Sequence, residues 1–357
     1  MSDSKNVLTL PSGQIITINF TSETEYLNSL RAGDDVVLEN AKFSFQPGTS
    51  QLLLLEECDP FGLWVVLFSI FHLYPKTSSV EVATVNSSLS SDIFTSGLIQ
   101  ANSDDRLLCL RSVFYQVHIP SKGPLSGFLL SNSSASSIPT FYVTDKNSAG
   151  STVRHPLRPT HLHTERYARY IPSLQKLLEF HVLQKSDSAD VDAFSEWMNN
   201  DRVAKFWGMK GAKDTVHVPY IESMEKDRHA TQIIGTLDGE RFLYTEIYYV
   251  LEDHLAPYTD GEVGPYDMGF HLLVGNENLR GPHIVRAWLT SIVHMLFLQD
   301  TRTRYVFLEP RADNSKLIGY LLKFGFTKLK EFDFPHKRAA LMRIERTTFF
   351  EEIGPAL

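Results

Sequence analysis

Cysteine is nearly absent: Cys58 and Cys109 are the only two in 357 residues. At most one disulfide can form, and neither cysteine sits in a CxxC or similar metal-ligand spacing. This argues against a disulfide-stapled or zinc-cluster architecture and makes a reducing compartment, the cytosol, the expectation. Excess positive charge is missing as well. Lys and Arg number 34 against 42 Asp and Glu, for a net charge of −8, and no basic run is dense enough to grip a phosphate backbone or an anionic lipid surface. Neither nucleic acid nor a membrane is therefore an expected partner. No apolar run reaches the 18 or so residues that cross a bilayer; the greasiest stretch, residues 61–73, is too short and contains His72. The opening MSDSKNVLTLPSGQ lacks the basic flank and apolar stretch of a signal peptide, and the closing GPAL is not a retention address.

What is present is the composition of a folded protein: 43% hydrophobic, 11% aromatic and 21% charged residues. The length suits one large domain or two ordinary ones. Residues 131–151, SNSSASSIPTFYVTDKNSAGS, hold seven serines with Asn, Gly and Pro, the composition of a linker or exposed loop. The expected division is a strand-rich domain over 1–130, a Ser-rich linker over 131–154 and a second domain over 155–357. Residues 1–150 carry 8 Lys and Arg against 14 Asp and Glu, residues 151–357 carry 26 against 28, so the second part is the one equipped for polar ligands.

In the first part QIITINF and DDVVLENAKFSF read as strands, with a turn at Pro47-Gly48. Residues 62–74 could be a buried helix or a buried strand, since periodicity does not separate the two. Cys58, Asp59 and His72 are expected to be structural or surface residues, not catalytic ones. In the second part residues 190–199 read as an amphipathic helix and 242–251 as a strand. The stretch DMGFHLLVG, 267–275, alternates like a strand, and 282–299 carries Val285, Trp288, Leu289, Ile292 and Leu296 at helical spacing. A short strand over 305–308 precedes a helix with Asp313 as its expected N-cap, ended by Gly325. Alternating strands and helices describe a mixed α/β sheet. His161 and His163 fall in a polar stretch, and the histidines form no metal spacing; no metal is expected.

Between the strand ending at Gly275 and the helix beginning near Pro282 lies GNENLRGPH. A strand running through a glycine turn into a helix start aims free N–H groups and the positive end of the helix dipole at one point, which makes an anion site. Here the chain resembles the GNAT acyltransferases, whose (Gln/Arg)xxGx(Gly/Ala) loop holds the pyrophosphate of acyl-CoA. Residues 278–283 align with it, Gly281 matching the first glycine, with Asn278 and His283 standing where that pattern has other residues. Asn314, Gly325 and Phe326 match a second segment, NxxAxxxYxxxGF. Its tyrosine position is Leu321, with Tyr320 one residue and about 100° away on a helix. Four longer strings, WMNNDRVAKFWG, GFHLLVGNENLRGPH, LEPRADN and FDFPHKRAALM, are similar to the branch of that family that acylates hydroxyornithine or hydroxylysine in hydroxamate siderophore synthesis, over roughly residues 155–352.

The resemblance implies a GNAT fold, a mixed central sheet flanked by helices, preceded by a smaller, strand-rich domain open to reading as a degenerate GNAT-like one. It implies acyl-CoA, acetyl-CoA first, as co-substrate and a hydroxylated amino acid as acceptor, with a homodimer as an open alternative. Leu273, Val274, Gly275, Arg280, Gly281, His283 and Asn314 would hold the cofactor. An alkylhydroxylamine is mostly uncharged at neutral pH, so the protein needs chiefly to remove its proton as the new bond forms. His271 on the central strand suits a general base, or is a buried histidine satisfied by a carbonyl. Asp313 could orient it, bind substrate, or simply cap its helix. The oxyanion would be met by a backbone N–H of the same strand. Lys337 and Arg338 could reach a CoA phosphate or the substrate carboxylate. Trp207, beside Phe206, could wall the substrate site, and Glu309 and Arg311 could pair with each other or with substrate. The acceptor could instead be hydroxylysine, the acyl group longer, or the chain a CoA-binding module without catalysis.

Overall fold

A computed structural model describes residues 6–9, 15–20, 25–32, 35–54, 59–84, 98–101, 106–116, 142–148, 150–158, 166–171 and 173–354, with side chains from Phe43 onward except that of Arg166. The chain forms two compact units, residues 1–129 with 168–175, and residues 130–167 with 176–356. Of the expected linker, 131–141 and 149 lie outside the described residues, and an antiparallel hairpin, Tyr142–Lys146 with Thr152–Pro156, spans much of the rest within the second unit. His161, His163 and Cys58 also lie outside the described residues.

In the first unit the strands run Asn6–Thr9, Ile15–Phe20, Glu25–Ala32, Asp35–Gln46, Gln51–Leu54, Ser79–Thr84, Leu107–Leu110 and Gln100–Ala101 in spatial order. Every pair is antiparallel except Gln51–Leu54 with Ser79–Thr84. Two parallel neighbours need a crossover, and the helix Pro60–Leu73 supplies it. The segment whose periodicity was undecided is thus a helix, and its even apolarity has a physical reason: every residue from Phe61 to Phe71 is buried, so no side needs polar residues.

The seven strands of the large sheet that lie wholly inside the second unit run, in spatial order, Lys176–Val182, Ala230–Leu237, Glu240–Tyr249, Met268–Val274, Tyr305–Leu308, Arg338–Glu345 and Thr327–Asp333. Again one pair is parallel, Met268–Val274 with Tyr305–Leu308, and again one helix, Pro282–Gln299, makes the crossover. This is the strand order of the last seven strands of the first unit. The helix Ser188–Asn199 starts at Asp187, whose carboxylate accepts from the N–H groups of Ala189 and Asp190, and Asn200 caps the next helix, Asp201–Trp207. The helix Ser315–Lys323 is capped by Asn314, which accepts from Leu317 N–H, and not by Asp313. Gly325 at φ +89° follows its end, where a left-handed residue is favoured. None of the helices among the described residues is long and apolar enough to cross a membrane.

Candidate active site

The parallel pair in the second unit does not stay paired. Met268 faces Val306 and Gly269 faces Phe307, and there the ladder stops, although the first strand continues to Val274. The splay opens a cavity of about 1170 Å³, walled by residues 270–274 on one side and 308–311 on the other. The opposite edge of Met268–Val274 stays zipped to Glu240–Tyr249 through seven register pairs, Leu243↔Val274 to Tyr249↔Met268. One side of the strand is therefore rigid, and the other faces a ligand-sized space.

The crossover helix points its start at this opening. Gly281 precedes it with φ +152°, a conformation that side chains rarely adopt, and a Cβ there would lie 2.8 Å from the His283 ring. Gly281 has no capping side chain and Pro282 has no N–H, so the helix start is left for an outside acceptor. Arg202, Lys205, Arg280, Arg311, Lys316 and Lys337 line the same cavity. Two of these cations are held by one carboxylate: Glu277 accepts from Arg202 at 2.7 Å and from Arg280 at 2.7 Å, while Arg202 also donates to the Val274 carbonyl at 2.8 Å. At the strand's end a Cβ on Gly275 would stand 2.1 Å from the Trp197 ring, so that position requires glycine for packing.

His271 is partly exposed to the cavity, and a carboxylate faces each ring nitrogen: Glu309 Oε1 lies 2.7 Å from Nε2 and Glu246 Oε2 lies 3.3 Å from Nδ1. Glu246 stands opposite His271 in the strand register, and its other oxygen accepts from Tyr220 at 2.5 Å and Tyr244 at 2.7 Å. Glu309 accepts from the Tyr248 hydroxyl at 2.8 Å, and the Lys337 ammonium donates to its backbone carbonyl at 2.8 Å. Burial works against the imidazolium, but the charge of Glu309 and the hydrogen bonds to both carboxylates outweigh it and raise the pKa of His271. The same pairing depresses Glu309 despite its burial. Burial and the charge of Glu246 hold Tyr220 as a neutral phenol.

The cavity collects Trp207, His271, Leu273, Val274, Arg280, Gly281, Glu309, Arg311, Asn314 and Lys337 of the residues singled out in the sequence. Trp207 packs edge-on to Tyr244 and His271, with ring centres 5.5 and 6.4 Å away. Asp313 is not brought to His271: it is exposed and paired with Arg311 at 2.8 Å, because the chain turns outward after Pro310 and the buried position falls to Glu309. Glu309 and Arg311, a candidate pair, are accordingly separated in their bonding. Arg338 is exposed and bound to Glu331 and Asp333. His283 is exposed on the first helical turn and, like Gly275, is not part of the cavity wall. Tyr320 lines the cavity, whereas Leu321 is fully buried away from it. Glu246, Tyr220 and Arg202 were missed. Arg202 sits inside the quoted WMNNDRVAKFWG string, but Glu246 lies in a strand whose in–out alternation is hidden by Tyr residues on both faces.

Residues 187–334 match the family model "Acetyltransferase (GNAT) domain". The N(6)-hydroxylysine O-acetyltransferase of Escherichia coli is 38% identical over 199 residues, 56% of this chain and 62% of that protein. A hydroxyornithine transacylase of Ajellomyces capsulatus is 36% identical over 203 residues, 56% of this chain and 46% of that protein. An acyltransferase of Mycosarcoma maydis is 31% identical over 337 residues, 88% of this chain and 75% of that protein. The chain thus spans about half the length of several curated relatives it matches.

Proposed function

Because this chain belongs to the GNAT acyltransferases, we propose that it moves an acyl group from acyl-CoA, acetyl-CoA first, to the hydroxylated side-chain nitrogen of hydroxyornithine, forming a hydroxamate for siderophore synthesis. The observation that carries this reading is His271 clamped between Glu246 and Glu309 on the wall of a cavity rimmed by six cations. A charged cluster of this kind is costly to bury in a site that does no chemistry, which argues against a binding module without catalysis. Leu273, Val274, Arg280, Gly281 and Asn314 would meet the CoA moiety, with Gly275 and His283 shaping the loop. Arg202 and Arg280 would exchange Glu277 for phosphate oxygens. Backbone N–H groups on the unzipped edge of Met268–Val274 are suited to the oxyanion.

Transfer is direct, with no covalent enzyme intermediate. His271 handles the protons, Glu309 orients it in the role first considered for Asp313, and Trp207, Arg311 and Lys337 bound the acceptor's space. Arg338 would reach only ligand atoms outside the cavity. The acyltransferase domain is proposed to be residues 155–357, acting in the cytosol on small molecules, with a homodimer as the assembly to check by sedimentation. Hydroxylysine is the second acceptor to test, since the Escherichia coli relative is named for it.

The test is thiol release from a panel of acyl-CoAs with hydroxyornithine and hydroxylysine. Turnover should require a hydroxylated amine, and His271→Gln should lower it by about 10²- to 10⁴-fold. Tight CoA binding with no turnover on any hydroxylated amine would refute the enzyme reading.

A further inference from the structure

A neutral imidazole carries one N–H, so it can donate to one acceptor only. His271 has carboxylate oxygens at both ring nitrogens, 2.7 Å from Nε2 and 3.3 Å from Nδ1. With both carboxylates ionised, and so acceptors only, both contacts are satisfied together only if both nitrogens are protonated. Among the described residues, no competing strong donor to the ring is found. From Glu240–Tyr249 come Glu246 and Tyr248, and Tyr248 donates to Glu309. After Tyr305–Leu308 comes Glu309, and beyond it Lys337, which is also turned to Glu309. His336, on the same turn as Lys337, is exposed and lines the cavity. The His254 ring, with centre 6.3 Å from that of His271, is paired at 3.1 Å with Asp253, and Asp253 also faces His229. From Asp201–Trp207 comes the uncharged Trp207, and Val218–Glu225 sends Tyr220 to the far oxygen of Glu246.

Resting on the acyltransferase reading above, we propose that His271 waits as an imidazolium and acts first as the proton donor to the departing thiolate, and only then as a base. The nucleophile's nitrogen lone pair forms the C–N bond as the carbonyl π pair moves to oxygen. When that pair returns, the C–S bond breaks, and the sulfur takes a proton from His271. The ring, now neutral, accepts the proton still on the acylated nitrogen and returns to its starting charge. No external acid or base is consumed. The longer contact, Nδ1 to Glu246, identifies the nitrogen freer to turn toward sulfur, while the Glu309 bond keeps hold of the ring. Glu246 and Glu309 are positioning residues in this scheme, and their effect is to keep the proton on His271 until the leaving group calls for it. Tyr320 lines the same cavity and is the competing donor.

The experiment has two arms on the full chain. Nitrogen-15 NMR of histidine-labelled protein, with His271 assigned by its loss in His271→Gln, should show a doubly protonated ring in the free protein at neutral pH. In Glu309→Gln and Glu246→Gln the titration should move down by about one unit or more. The profile of kcat/KM against pH should be flat once the hydroxylamine is deprotonated and fall on the alkaline side. That alkaline limb should move down in both Gln variants and stay in place in Tyr320→Phe. A ring titrating in the ordinary histidine range, a rate that climbs with pH through the His271 titration, or an alkaline limb lost in Tyr320→Phe would each overturn the acid role while leaving the acyltransferase reading intact. An imidazolium seen by NMR without turnover on any hydroxylated amine would refute the acyltransferase reading, and the acid role with it.

Discussion

The two units share a strand order and a single parallel crossover, yet they treat the start of the crossover helix in opposite ways. In the first unit Asp59 precedes Pro60, and its carboxylate accepts from the Gly62 N–H at 2.7 Å. The positive helix end is thus filled by the protein's own anion. In the second unit Gly281 precedes Pro282 and offers no side chain. The parallel strands differ in the same sense. Gln51–Leu54 stays in register with Ser79–Thr84 through four pairs to its last residue, whereas Met268–Val274 parts from Tyr305–Leu308 after two. The middle pairs of the first unit's ladder are Leu52↔Val82 and Leu53↔Ala83, flanked by Gln51↔Glu81 and Leu54↔Thr84, and the second unit's strand carries His271 where the gap opens. Among the described residues one ladder runs zipped to the end of both strands, whereas the other parts and lines the gap with charge. In the second unit the cavity goes together with an unfinished ladder and an uncapped helix start.

The largest expected effect comes from making the second unit resemble the first. Gly281→Asp would place a carboxylate at the open helix start, in a backbone conformation hostile to any side chain. CoA affinity measured by calorimetry should fall by about tenfold or more, equivalent to about 1.4 kcal/mol or more; unchanged affinity would mean that the helix start does not hold the anion. Next is Gly275→Ala, which pushes a methyl into the Trp197 ring. It should lower stability in urea unfolding by about 1–3 kcal/mol, as overpacking does, together with a loss of turnover. The reverse change in the first unit, Asp59→Ala, should cost about 1 kcal/mol through the lost cap. It should leave CoA stoichiometry at one per chain, and a second bound CoA would break the contrast drawn here. Smallest of all, Asp313→Asn disturbs only an exposed ion pair with Arg311 and should keep kcat within about twofold; a large loss would return Asp313 to the reacting centre in place of Glu309.

Much of the second unit was legible residue by residue. The alternation in 268–274 and the 3.6-residue spacing in 282–299 mark a strand and a helix, because each buries one defined face. The glycine turn between them marks an anion site, because only glycine allows that turn. His271 and the loop stand out on the same local signals taken together with the family resemblance, since the local signals alone leave His271 open between a base and a satisfied core histidine. The expectation for Asp313 is equally local in origin: an acidic residue before a helix reads as a cap, but the cap is Asn314, and the carboxylate against His271 Nε2 is Glu309, four residues before Asp313. Burial of Glu309 among Tyr248, His271 and Lys337 involves partners 61, 38 and 28 residues away along the chain, and no spacing rule reports that.

The sequence by itself determined the strand, glycine-opened loop and helix over 268–299 and their order, since those depend on short-range sterics and on which face of each element is apolar. Tertiary structure alone decided that 62–74 is largely helix, where the second unit's parallel ladder stops, and which carboxylates meet the two nitrogens of His271. Those outcomes depend on distances across the sheet, where register and burial, not neighbours in the chain, set which charges must share a space.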